Sequence, residues 1–180
     1  MFELVDKYDK ILKTPTQPWD FNNNYTDLSG KTWEPEEFAK KLALTMINKN
    51  GVGLSANQCG HSVSVFVMGD PSNEETIMAF FNPKLIDFMG DLVYYEEGCL
   101  SYPKLFVKIK RPSQVRMRFS DAKGETTTTK YTGFSARIIQ HEYDHLSGAI
   151  FTDKANDYHL SQAKKNQRLL MRRVNKTAAR

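Results

Sequence analysis

The sequence is short of cysteine, with two in 180 residues, Cys59 and Cys99. Two thiols do not make a disulfide framework, so a reducing compartment is expected. There is also no apolar run near the roughly 18 residues a membrane-spanning helix needs, and no membrane association is expected. The first residues carry Glu3, Asp6 and Asp9 and no apolar segment. Neither a secretory signal peptide nor an acid-poor transit peptide is therefore expected. Internal repeats and low-complexity blocks are absent, and after Glu142 there is no glutamate at all.

What is present suits one soluble domain. Forty per cent of the residues are apolar, enough for one proper core. The charge is uneven. From Lys154 to Arg180 there are eight Lys/Arg and one acid, a net of +7, so residues 1–153 carry −3 of the chain's +4. We expect a catalytic body over 1–153 and a basic helical extension over 154–180, the part to match with polyanions.

The first 30 residues give weak signals: a short extended piece at Ile11–Pro15, and loops at Asn22–Asn24 and Leu28–Gly30. Trp33 to Lys49 reads as a helix, with Pro35 and three glutamates at its start and Asn50-Gly51 at its end. Ser62 to Met68 alternates, with Val63, Val65 and Val67 on one face, and reads as a strand. Ile77–Phe81, Leu92–Tyr95, Leu105–Ile109, Gln114–Phe119 and Thr126–Tyr131 read as further strands. Breaks are expected at Asn82-Pro83 and Met89-Gly90-Asp91, and a hairpin loop at Asp121–Gly124. Gly133–Leu146 and Asn156–Thr177 read as helices. Strands run together without βαβ alternation. The fold class is therefore α+β, with mostly antiparallel sheets packed around a central helix, a helix in the N-terminal half and a C-terminal helix.

The central helix carries His141-Glu142-Tyr143-Asp144-His145. Histidines four apart on a helix share a face, about 5–6 Å between Cβ atoms, so two imidazoles can grip one cation. Glu142 lies about 100° round the helix and flanks the cation, where it can hold water as general base. Four histidines in 180 residues make a chance match to this pattern improbable. An open catalytic site needs a third ligand. Downstream, the position six residues after His145 is Phe151, and only Asp144, Asp153, Asp157 and His159 remain. This points upstream to a cysteine, and spacing alone does not choose between Cys59 and Cys99.

Three stretches together resemble the peptide deformylase family: Gly51-Val52-Gly53-Leu54-Ser55-Ala56-Asn57-Gln58, Glu97-Gly98-Cys99-Leu100-Ser101, and Gln140-His141-Glu142-Tyr143-Asp144-His145-Leu146. The likeness runs from about Glu34 to Asp153. It implies one divalent metal ion on Cys99, His141 and His145, natively ferrous iron, with zinc, nickel or cobalt accepted in purified protein. The implied reaction is hydrolysis of the N-formyl group of N-formylmethionine on new polypeptides by metal-bound hydroxide. Glu142 is the implied general base, and the Gln58 amide and Leu100 N–H the implied donors to the formyl oxygen. Gly53 would pair with the substrate backbone, and Val52, Phe134 and Ile138 would line the methionine pocket. Glu97 would support the site by an ion pair with Arg111.

Ser55, Cys59 and Arg137, the last at the pocket rim, depart from the family pattern. Residues 1–30 match it poorly. The family likeness further implies a monomer in the cytoplasm of a bacterium, virus-infected or not, with nascent formylated polypeptides as partners. It also implies ribosome docking by the basic C-terminal helix. A metalloprotease and a closed structural metal site, with Cys59 or His159 as fourth ligand, are the competing readings.

Overall fold

The computed structural model describes residues 1–178; residues 179 and 180 of the basic extension lie outside the described residues. The fold is α+β. Strands β1 (Tyr25–Thr26) and β2 (Thr32–Trp33) form a small antiparallel pair. Helix α1 (Pro35–Asn48) follows. A five-stranded antiparallel sheet then runs in chain order through β3 (Gly53–Ser55), β4 (Val65–Met68), β5 (Met78–Cys99), β6 (Tyr102–Ser120) and β7 (Thr126–Thr132). Helices α2 (Gly133–Leu146) and α3 (Asp157–Ala178) complete the chain.

The sheet is covered on both faces, and β4 shows how. Val63, Val65 and Val67 pack into one cluster with Phe38, Leu42 and Met46 of α1. Phe66 and Met68 pack into a second cluster with Ala136, Ile139 and Leu146 of α2. The alternation read from the sequence is therefore real, but both of its faces are buried. Phe38, Leu42 and Met46 are fully buried, each contributing roughly 1.5–3 kcal/mol relative to exposure.

Several boundaries differ from the sequence reading. The first helix begins at Pro35, because Trp33 belongs to β2. The segment expected to be extended at Ile11–Pro15 is instead a 3-10 turn, Lys10–Lys13. There the Asp9 carboxylate accepts from the Ile11 N–H, and Leu12 is fully buried. The expected separate strands merge into the long β5–β6 ribbon. Asn82-Pro83 and Met89-Gly90-Asp91 do not end a strand; they lie at register shifts, where an extra residue bends the ribbon without stopping it. Asn82 takes φ +50 and exchanges two hydrogen bonds with the Trp19 backbone. Gly90 takes φ +72.

Under α1 sits His61, only 8% exposed, its ring among Phe2, Tyr25, Trp33 and Phe38. Burial lowers its pKa from 6.5; Lys41 adds to that, and Asp27 opposes it. The unfolded chain thus binds this proton more readily than the folded one. The stabilisation is complete above about pH 6.5 and is lost as pH falls through the lowered folded value. His61→Phe is therefore expected to shrink the drop in urea midpoint between about pH 7.5 and pH 5, read by circular dichroism. An unchanged drop would contradict this assignment.

Candidate metal centre

Two elements meet at the site. On α2, His141 and His145 lie one turn apart with ring centroids 5.1 Å from each other. The β5–β6 ribbon ends in a two-residue turn, Leu100-Ser101, closed by the pairing of Cys99 with Tyr102. That turn carries Cys99 over the helix. Its Sγ lies 3.2 Å from His145 Nε2, and one donor atom each from Cys99, His141 and His145 fall within 4.8 Å of one another.

Glu97 orients this group. Its Oε2 lies 3.0 Å from His141 Nδ1. With the proton on Nδ1, the other ring nitrogen keeps its lone pair for a ligand. The same carboxylate takes a bidentate pair from Arg111, Nε to Oε1 at 2.7 Å and Nη2 to Oε2 at 3.0 Å. Arg111 Nη1 continues to Asp144 Oδ2 at 2.6 Å. Burial raises the Glu97 pKa, but His141 and Arg111 outweigh it and hold it at about 2.

The donor set fits a divalent cation. A thiolate and two imidazoles are the ligands a borderline-soft ion selects. Burial works against a charged imidazole at His141, yet Cys99 and Glu97 push its pKa up to about 10, while burial, with His141 and Arg111 nearby, holds His145 well below the usual imidazole value.

Glu142 flanks the trio. Burial raises its pKa to about 7, and its buried Oε2 has no hydrogen-bond partner. Gly53 lies against it: a Cβ there would be 2.8 Å from Ile138 Cγ2 and closer still to Glu142 Oε1. The Gln58 amide has a fixed sense. Its Oε1 accepts from Ser55 N and Ser55 Oγ, both at 3.0 Å. Its Nε2 therefore points inward, 3.4 Å from Cys99 Sγ and 3.0 Å from Ser101 Oγ. Leu100 packs over Gly51. Val52 and Phe134 stay 39% and 58% exposed, and the structure does not bring them into the buried trio.

The alternative ligands stand elsewhere. Cys59 lies in the α1 cluster, with its pKa raised to about 12 by burial and then by Glu142. The His159 ring packs on Tyr94 and Tyr158. Arg137 requires a correction: it is not at a pocket rim but 3% exposed and bound to Glu97. Sequence reasoning weighed Asp144 only as a ligand and gave Asn57 no role. Asn57 Nδ2 donates to the His145 carbonyl at 2.6 Å. Asp144 stands three residues after His141, a spacing that could have placed it on that side of the helix.

The family model described as polypeptide deformylase matches residues 1–161. A peptide deformylase of Thermotoga petrophila is 38% identical over 138 residues, 77% of each chain. One from Pseudothermotoga lettingae is 40% identical over 114 residues, 63% of this chain and 64% of that one. Among solved structures, the peptide deformylase of Synechococcus elongatus superposes with a TM-score of 0.81 at 28% identity, covering 92% of this chain and 87% of that one. That of Plasmodium falciparum gives 0.80 at 28% identity, covering 97% and 98%.

Removing the Glu97 carboxylate would leave Arg111 and Arg137 buried without their shared partner. Breaking a buried pair on one side costs about 3–5 kcal/mol. Glu97→Ala is expected to lose that much in denaturant unfolding of the metal-free protein, and a loss below about 1 kcal/mol would contradict the arrangement.

Proposed function

The chain belongs to the polypeptide deformylase family, and from that premise we propose that it removes the N-formyl group from the N-formylmethionine of new polypeptides, releasing formate. The carrying observation is the convergence of Cys99, His141 and His145 beside Glu142 and an inward-turned Gln58 amide. These three ligands would hold the cation, ferrous iron natively. Once bound, it supplies Lewis acidity, polarising a carbonyl and making water nucleophilic near neutral pH.

The chain's own groups then have separable roles. Glu142 removes a proton from the attacking water. As the C–N bond breaks, it returns that proton to the leaving amine. A pKa of about 7 suits a group that must both take and give. Negative charge develops on the formyl oxygen, where Gln58 Nε2 and the Leu100 N–H donate. Losing one such donor typically costs about 2.7–4 kcal/mol in the barrier. β3 is the last strand of its sheet, so the Gly53 backbone can accept the substrate as a further strand. Val52, Phe134 and Ile138 would hold the methionine side chain.

We also propose that the protein acts in the cytoplasm as a monomer, with 1–153 as the catalytic body. No helix among the described residues is long and apolar enough to cross a membrane. The C-terminal segment divides in two. Leu160 and Ala163 of α3 pack with Val107 and Ile109 of β6. Leu170, Met171 and Val174 are 40%, 44% and 46% exposed, among Lys165, Arg168 and Arg172. Such a basic helix suits RNA and supports ribosome docking.

Formate release from a formyl-Met peptide, beside an unblocked peptide, tests the main reading and separates it from a protease. Glu142→Gln should keep the metal and lose about 10²–10⁴-fold in turnover; a metal-loaded mutant with near-normal turnover would refute the base assignment. Truncation after Gln167 should weaken ribosome co-sedimentation while sparing hydrolysis of short formyl peptides. Equal sedimentation would count against docking.

A further inference from the structure

Arg137 is a charged side chain in a place where sequence would put an apolar one. It lies on α2, four residues before His141 and so on the same face of the helix. Its side chain is 4% exposed. Nη1 donates to Glu97 Oε1 at 2.9 Å and to the Ile109 carbonyl at 3.1 Å. Nη2 donates to the Val93 carbonyl at 2.8 Å. The Tyr95 ring covers the guanidinium, 5.3 Å from Cζ to the ring centroid. One fork therefore ties α2 to both strands of the ribbon that carries Cys99.

A carboxylate offers about four lone-pair directions, and the donors on Glu97 fill them. Oε1 receives Arg111 Nε and Arg137 Nη1; Oε2 receives Arg111 Nη2 and His141 Nδ1. Without Arg137, Arg111 alone would still pair with Glu97, but one direction on Oε1 would open. The carboxylate could then turn or admit water. Arg111 runs from β6 to Asp144 on α2, while Arg137 runs from α2 to the ribbon. The two arginines cross-brace the same joint from opposite sides.

We propose that Arg137 is a positioning residue for the metal centre: it fixes Glu97, and through Glu97 the His141 ring, so that helix and ribbon ligands hold their spacing. This rests on the metal-binding reading above. The planar fork matters, because an ammonium cannot span the carboxylate and two carbonyls in one plane.

The test uses the full chain loaded with cobalt(II), comparing wild type, Arg137→Met and Arg137→Lys. Affinity is read by chelator competition, and ligand geometry by the d–d and thiolate-to-cobalt charge-transfer bands. Arg137→Met should bind cobalt about ten- to a hundred-fold more weakly with altered bands, and Arg137→Lys should fall between it and wild type. A folded Arg137→Met with wild-type affinity and bands, even one of lower thermal stability, overturns the proposal and leaves the metal site standing. If Arg137→Met does not fold, Arg137→Lys decides: weaker binding supports the proposal, and wild-type affinity and bands overturn it. A wild-type protein that binds no cobalt overturns both the proposal and the metal site it rests on.

Discussion

One carboxylate holds the joint on which the site depends. Cys99 ends a long two-stranded ribbon, and the two histidines sit on a helix that begins more than thirty residues later. Nothing local fixes their separation. A ribbon bent by several register shifts would not by itself hold a sulfur in register with two imidazoles. Glu97, two residues before Cys99, supplies the missing reference point. It is bonded to the helix through His141 and Arg137 and to the neighbouring strand through Arg111. Burying such a cluster is costly unless every charge is paired. Removing any one partner would leave a buried charge uncompensated.

The same cluster sets the electrostatics of the chemistry. His141, beside Cys99 and Glu97, is pushed toward its charged form, whereas burial, with His141 and Arg111 nearby, holds His145 well below the usual imidazole value. Glu142 gains a pKa of about 7 chiefly because it is buried, with His141 acting in the opposite direction. Gly53 permits that burial: its bare backbone leaves room for the Glu142 carboxylate and the Ile138 methyl where a Cβ would not fit. One missing side chain thus serves both the edge strand and the carboxylate beside it.

Much of this was legible in the sequence, for identifiable reasons. The α2 boundaries follow from its 3.6-residue periodicity, and the paired histidines from their spacing on one helix face. Cys99 could not be separated from Cys59 by residue pattern alone; family likeness made that choice. The ribbon was harder, because Asn82, Pro83 and Gly90 are turn-formers by local rule. Their effect in context is to bend a strand already held by its partner. Arg137 was misread because family likeness puts that position at the pocket rim. Only the three-dimensional proximity of Glu97, Val93 and Ile109 makes its burial tolerable. Lys10–Lys13 was missed because one buried leucine and one aspartate cap carry too little periodic signal.

The C-terminal helix is not separable from the catalytic body at its near end. Val107 lies directly opposite Glu97 in the ribbon, and it packs with Ile109, Phe151 and Ala163. Phe151 in turn meets the His141 ring, centroids 5.4 Å apart. Apolar side chains from the last third of the chain therefore back the strand segment that presents Glu97 and the imidazole it orients. Charges fix the angles at the joint, while this apolar wedge keeps water from the buried side of those ion pairs. In a lower dielectric each charged hydrogen bond is stronger and each unpaired group dearer. A helix whose far half is basic and exposed thus backs the candidate metal centre through its near half, so the two ends must be judged separately.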